Sequence, residues 1–325
     1  MNTICLDEKY STTRLVVKEK PEIVNNPEDK FQTVLFLPKG KERKGEGGLR
    51  TKGYFKKSLE DKPLISIITV VFNGEKYLEE TIQSVINQNY DNVEYIIIDG
   101  GSTDGTLDII KKYEDRIDYW VSERDKGIYD AMNKGIIFST GELVGIINAD
   151  DYLYLNILEH VATTFDKNID FLYGNVNIID SEGKVIGEKY SLPKEQINIK
   201  IYSGMPFPHP SVFVNINTYK KIGLFDTSLR LSADFDFLLR LIEEKKNGIY
   251  IMKFTGAFRT GGQSGGYSSL IENIKVLKKR NLNFFLIISI FINNYLKITA
   301  YNYFPKNIYN FLKKLKKNSV NKIYK

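Results

Sequence analysis

From Pro63 onward the chain alternates between two hydrophobic rhythms, and few folds accept that alternation. "PLISIITVVF" (63–72) is a β-rich apolar run. "EKYLEETIQSVINQ" (75–88) then sets Leu78, Ile82, Val85 and Ile86 at helical spacing, and "VEYIIID" (93–99) reads as a second strand. "GTLDIIKKY" reads as helix, "IDYWVSE" as strand, "YDAMNKGIIFS" as helix and "LVGIIN" as strand. Strands apolar along their whole length need cover on both faces. The pattern therefore predicts an α/β fold with a mostly parallel sheet between layers of helices.

In such sheets ligands bind beyond the carboxyl ends of the strands. Polar clusters stand at those ends: "NGEKY" after the first strand, "DGGSTDGT" after the second, "ERDKGIYD" after the third and "NADD" after the fourth. Four polar strand ends on one rim describe one cleft. The later half is less regular, with a hairpin expected over 171–190 and a helix over 233–245 that carries acids in its first turn. That mixture suggests an antiparallel addition closing over the cleft.

The expected organisation has three parts. Residues 1–62, rich in Lys and Gly without an apolar period, read as an N-terminal extension or linker. Residues 63–270 form the main domain, and 271–325 form a basic, amphipathic helical tail. The lone Cys5 excludes an internal disulfide, and two histidines leave no Cys/His zinc cluster. No cleavable secretory signal is expected, because charges fall where an apolar core should be. A cytoplasmic setting fits these features. The net charge of +6 belongs to the tail: Lys275 to Lys325 holds 12 Lys/Arg and no acid, leaving 34 basic and 40 acidic side chains before it.

Two clusters carry the chemistry. In "DGGSTDGT" (99–106) Gly100 and Gly101 allow a close backbone approach to a ligand, Ser102 and Thr103 follow, and Asp104 can cap the next helix. In "IINADDYL" (146–153) Asp150 and Asp151 stand side by side after an apolar run. One reading is a plain turn, since Asn and Asp favour such places. The other is a divalent metal site that holds a phosphorylated substrate.

"ISIITVVFNGEKYLEETIQSVINQ", "YIIIDGGSTDGTLDII", "DKGIYDAMNKGI", "GELVGIINADD" and "SADFDFLLR" occur in the order seen in family 2 inverting glycosyltransferases, which the chain resembles over residues 63–265. The resemblance implies a GT-A fold and a nucleotide-sugar donor, with bacterial O-antigen or capsule enzymes as the nearest type. It implies that Asp99 binds the uracil or other base and that Asn73 lies near the nucleotide. Gly101, Ser102, Asp104 and Asp150 join these as donor-binding candidates. Asp151 becomes the likeliest direct ligand of Mg²⁺ or Mn²⁺, both hard cations that take oxygen ligands. Asp234 matches the general base, Asp236 is the second choice, and His209 in "MPFPHPSVFV" supports the acceptor side. "RTGGQSGG" (259–266) is a loop able to close over a diphosphate.

The chain departs from the family pattern at Gly100, where many members have a second acid, and at Met132 and Ala233. It lacks the Gln-x-x-Arg-Trp pattern of processive synthases, so transfer of one sugar is favoured. The expected acceptor is a lipid-linked saccharide. A non-catalytic nucleotide-sugar or polysaccharide-binding protein on the same scaffold is the alternative from another class, and a paired-carboxylate hydrolase is weaker.

In the tail, "NLNFFLIISIFINNYLKITAYNYF" (281–304) falls short of the ~20 apolar residues that a spanning helix needs. Flanked by "KVLKKR" and "FLKKLKK", it fits a helix lying on an anionic membrane surface. The expected location is peripheral, on the inner face of the plasma membrane. No nucleic-acid module is visible.

Overall fold

The structure, a computed structural model, describes residues 3–38, 40, 42–261, 266–280 and 282–303. The chain forms two compact units, Met1–Ile201 with Met205–Gly262, and Tyr202–Gly204 with Gln263–Lys325.

In the first unit ten strands among the described residues build one sheet: β1 (Gly45–Gly47), β2 (Ile65–Val71), β3 (Val93–Asp99), β4 (Tyr119–Ser122), β5 (Leu143–Asn148), β6 (Tyr152–Leu153), β7 (Phe171–Ile179), β8 (Val185–Lys189), β9 (Val212–Asn215) and β10 (Gly248–Arg259). Their order is β1-β4-β3-β2-β5-β9-β7-β10-β6, with β8 paired to β7. Strands β4, β3, β2 and β5 are mutually parallel; β9 reverses between β5 and β7, so β7 and β10 run with the parallel set. The sheet is mostly parallel and mixed at its margins, as the alternation predicts. The β7–β8 pair is the expected antiparallel hairpin.

Helices α1 (Leu78–Ile86), α2 (Thr106–Lys112), α3 (Ile128–Phe138), α4 (Ile157–Thr164), α5 (Lys194–Lys200), α6 (Ile216–Ile222) and α7 (Ala233–Glu243) follow the strands. On one face Ile65, Ile67, Tyr95 and Ile97 form a core with Leu78, Ile82, Val85 and Ile86 of α1 and Ile110 of α2. Each such side chain contributes about 1.5–3 kcal/mol by leaving water. On the other face α3 lies so close to β2 that Gly135 has no room for a side chain against Ile68.

The residues before Pro63 correct the linker expectation, because the described ones lie in the same compact unit as the sheet. Gly45–Gly47 adds an antiparallel edge to β4, and a Cβ on Gly45 or Gly47 would meet the Trp120 ring at 2.8 or 2.6 Å. The strand fits because it has no side chains on that face. Val16, Val17 and Phe55 are buried, and the Ser11 hydroxyl donates to Val85 O at 3.0 Å. Arg50 forms a fully buried ion pair with Glu94 of β3, whose carboxylate also accepts from the Ser66 and Thr140 hydroxyls and the Thr140 N–H.

The second unit contains α8 (Tyr267–Lys278) and α9 (Phe284–Tyr303), packed through a Tyr267–Tyr295 ring contact at 5.1 Å and a 3.0 Å Tyr267–Thr299 hydroxyl bond. Because α8 packs on α9, the boundary falls before α8 and not within it at 270. Among the described residues no helix is long and apolar enough to cross a membrane. Residues 262–265 of the expected Gly-rich loop and the basic end "FLKKLKK" lie outside the described residues.

Removing one partner of a buried pair strands the other charge. Arg50→Met should cost about 3–5 kcal/mol in urea unfolding, and adding Glu94→Gln should recover part of that loss. Burial pushes the Glu94 carboxyl up, but Arg50 and the two hydroxyls outweigh it and hold it below its ordinary 4.5. Its contribution is therefore full above pH 4.5 and lost as pH falls through the lowered folded value. The Glu94→Gln variant should show a flatter acid limb than the wild type.

Candidate functional site

The parallel register sets the rim. Val71 is opposite Asp99, Asp99 is opposite Ser122, and Val70 is opposite Asn148, so the polar ends of four strands finish within one residue of each other. At the end of β3, Asp99 is fully buried, and its carboxylate accepts from the Ser102 N–H and from the hydroxyls of Ser102 and Ser122. Its oxygens face the protein, and a ligand could reach them only by displacing these donors.

The rest of "DGGSTDGT" is knitted to the loop after β2. The Asn73 N–H donates to Ser102 Oγ at 2.7 Å, and Asn73 Oδ1 accepts from the Thr103 N–H at 2.8 Å. Asp104 accepts from the Glu75 N–H at 3.2 Å and the Thr106 N–H at 3.1 Å, while Glu75 accepts from the Gly105 N–H at 2.7 Å. Burial raises the Asp104 carboxyl, yet the Thr106 hydroxyl and the Glu75 and Thr106 N–H groups hold it below the usual range. Gly101 has φ 84°, a left-handed conformation that a glycine takes at little cost. Asn73, Gly101, Ser102 and Asp104 thus lie in two loops that are hydrogen-bonded to each other. Lys44, from the N-terminal segment, donates to the carbonyls of Gly101 and Ser102 at 2.7 and 2.9 Å. That residue falls in the segment the sequence presents as linker.

The acids after β5 divide. Asp151 is 1% exposed; Oδ1 accepts the Arg259 N–H at 2.9 Å, and Oδ2 accepts Asn148 Nδ2 at 3.2 Å. Burial and then the neighbouring Asp150 push its carboxyl up to about 8. The carboxylate is thus turned inward, with both oxygens engaged. Asp150 is only half-buried, its carboxyl raised by burial and drawn back by Arg259. Arg259 organises the turn: Nε donates to Asp150 O at 3.0 Å, one terminal nitrogen pairs with Glu80 at 2.6 Å, and the guanidinium covers the Tyr77 ring at 4.1 Å.

A cation would meet oxygen donors here. Asn148 Oδ1 is buried without a hydrogen-bond partner, and the Asp150 carboxylate lies on the same turn. Among the described residues no three His, Cys, Asp or Glu side chains gather as a cage. The donor set fits a hard cation that shares its shell with phosphate oxygens.

The remaining candidates sit at α7. Asp234, half-buried in its first turn, accepts on Oδ1 from the Tyr129 hydroxyl at 3.1 Å and from the Phe235 N–H at 2.8 Å. Oδ2 accepts no hydrogen bond among the described residues. Burial, then the charge of Asp234, raises the Tyr129 phenol, which stays a neutral donor. His209 is pushed down by burial and partly restored by Asp234, so the two lie within electrostatic reach. Lys189 of β8 shows the same opposition, its ammonium pulled down by desolvation and partly restored by Asp234. Asp236 faces elsewhere and pairs with Arg240 at 3.0 Å; Arg240 in turn caps the carbonyls of Ile222 and Leu224. Tyr129 and Arg259 appear only through tertiary contacts.

Residues 66–222 match the family model described as Glycosyl transferase family 2. An uncharacterized glycosyltransferase of Methanocaldococcus jannaschii is 30% identical over 227 residues, covering 66% of this chain and 77% of that protein. The chain belongs to glycosyltransferase family 2. An uncharacterized Rickettsia typhi glycosyltransferase is 32% identical over 55% of this chain, which spans 59% of that relative's length. Among solved structures, the S. aureus TarS fragment in complex with UDP-GlcNAc matches at TM-score 0.53 and 19% identity, over 73% of this chain and 72% of that one. A Pyrobaculum calidifontis mannosyltransferase in complex with GDP-Man and Mn²⁺ matches at TM-score 0.53 and 17% identity, over 80% and 81%. The fold of this family 2 chain is thus the GT-A type.

Ser102→Ala removes a hydroxyl shared by the buried Asp99 and the Asn73 N–H. It should lower stability by about 1–3 kcal/mol in urea unfolding, whereas Thr103→Ala, at an exposed hydroxyl, should change it by less than ~0.5 kcal/mol.

Proposed function

We propose that the chain is an inverting glycosyltransferase that moves one sugar from a nucleotide-sugar, a UDP-sugar, to a hydroxyl of a lipid-linked saccharide in cell-surface polysaccharide synthesis. The observation that carries this reading is Asp234, with one carboxylate oxygen fixed by Tyr129 and the other open. Family membership, and the nucleotide sugars bound by the two structural relatives, support the donor class.

In this reading Asp234 Oδ2 takes the proton from the acceptor hydroxyl. The acceptor oxygen forms its bond to the anomeric carbon as the bond to the diphosphate oxygen breaks, and the nucleoside diphosphate leaves with the electron pair. Tyr129 keeps the base oriented. His209, held neutral, and the Lys189 ammonium line the acceptor side. Asp150 with Asn148 Oδ1 would hold Mg²⁺ or Mn²⁺, which when bound offsets charge developing on the leaving diphosphate. Asp151 and Arg259 hold that turn in place.

For the tail, α9 carries no acid and exposes Phe284, Phe285, Ile292 and Leu296, while Lys275, Lys278, Lys279 and Arg280 precede it. Apolar side chains beside basic ones suit the anionic inner face of the plasma membrane. Peripheral attachment there would bring the enzyme to a lipid-linked acceptor.

Asp234→Asn should abolish transfer, scored as nucleoside diphosphate release from a panel of UDP-, GDP- and dTDP-sugars with lipid-linked acceptors, while leaving donor binding intact. Normal turnover by that variant would sink the assignment. By calorimetry, Asp150→Ala should lose the Mn²⁺-dependent part of UDP binding. Phe285→Glu with Leu296→Glu should release the protein from anionic liposomes in flotation, and retained binding would refute the membrane reading.

A further inference from the structure

A nucleotide base has a flat apolar face and a polar edge, so a protein that grips one needs a plate and a partner for the edge. At the rim, Phe72 directly follows β2 and is 65% exposed, so its ring is open to a ligand. Gly100 lies beside it. A Cβ built on Gly100 would stand 3.4 Å from the Phe72 ring and 2.5 Å from Asp125 Oδ2. The carboxylate of Asp125, from the segment between β4 and α3, therefore fills the space that a side chain at 100 would enter.

Asp125 is half-buried and anchored by one oxygen, Oδ1, which accepts the Gly127 N–H at 2.8 Å. Among the described residues Oδ2 accepts no hydrogen bond, and no cation pairs with the group. Lys134, the nearest cation acting on it, is bridged to Glu123 at 3.0 Å and Asp130 at 3.7 Å. Burial raises the Asp125 carboxyl against the pull of Gly127 and Lys134, and Asp130 and Asp99 add to the rise. An outside N–H donor would relieve that cost. Asp99, one residue before Gly100, already has its own donors and cannot take this role.

We propose that Asp125 is the carboxylate that receives the base of the nucleotide donor, supplied from the β4–α3 segment in the place left open by Gly100, with Phe72 against the face of the ring. This rests on the nucleotide-sugar reading above. A carboxylate accepts from a ring N–H, which uracil and thymine offer at N3 and guanine at N1. Cytosine and adenine present a bare ring nitrogen there, and two acceptors repel. Asp125 thus selects UDP, dTDP or GDP over CDP and ADP.

The test is calorimetric binding of UDP and CDP, with Mn²⁺, to the full chain and its variants. Asp125→Ala should weaken UDP binding about ten- to hundredfold, the loss of a hydrogen bond to a charged group. Gly100→Asp alone should also weaken it, because its side chain collides with Asp125. Combining the two moves the acid from 125 to 100 and should return UDP affinity to within a few-fold of wild type. Asp125→Asn preserves the side chain's shape but offers a donor as well as an acceptor, so the preference for UDP over CDP should collapse, an effect that loss of fold would not mimic. Wild-type UDP affinity in Asp125→Ala, or an undiminished UDP preference in Asp125→Asn, would overturn the proposal while leaving the nucleotide-sugar reading standing. Failure of the wild type to bind UDP, GDP or dTDP would overturn both.

Discussion

The parallel register of β4, β3, β2 and β5 is the constraint on which the rest depends. Because those strands advance in step, Ser122 and Asp99 end level with Val71, Asn148 stands one residue earlier opposite Val70, and Phe72 follows Val71 at the same rim. A slip of one residue would turn alternate side chains to the opposite face of the sheet. Register is fixed by cores on both faces, through Ile67 and Ile97 on the α1 side and Ile68 against Gly135 on the α3 side. The chemistry at the rim therefore inherits its alignment from apolar packing below it.

The N-terminal segment reinforces that alignment at considerable electrostatic cost. Arg50 and Glu94 are both sequestered, and burial pulls the Lys56 ammonium down while pushing the Asp118 carboxyl up. Apolar residues of similar volume would often be as stable or more so. Charges nonetheless specify one partner and one geometry, and here they join the segment to β3 and to the residue just before β4. From that anchored position Lys44 reaches the carbonyls of Gly101 and Ser102. The segment thus ties down the loop that follows β3.

The central strands and helices were legible because each carries its own periodicity. Strand β1 was not, since Gly-Glu-Gly has no apolar alternation; it exists because its bare backbone fits over the Trp120 ring, which only the folded chain supplies. The site was legible in its types of residue and less so in their roles. A linear sequence places Asp99 at a strand tip but does not show that Ser102 and Ser122 will turn their hydroxyls onto it. Nor does it show Asp125 entering the space above Gly100, since the two meet only across neighbouring loops. Tyr129 and Arg259 were hidden for the same reason.

The adjacent carboxylates of "NADD" show how two identical residues acquire different work. Consecutive side chains on a tight turn diverge, so when one enters the core its neighbour faces out. Asp151 enters: the Arg259 N–H and Asn148 Nδ2 bond its carboxylate, and its carbonyl accepts from the Thr81 hydroxyl at 2.7 Å. Those bonds tie the turn to β10 and α1, and the Arg259 side chain adds the Asp150 carbonyl, Glu80 and Tyr77. With Nδ2 of Asn148 committed to Asp151, its Oδ1 is left without a partner beside the half-buried Asp150. The inward acid thus sets the orientation of the Asn148 amide beside Asp150. In the proposed reaction a cation at this turn would need no third protein ligand, because a phosphate-bearing substrate would supply the rest of the shell.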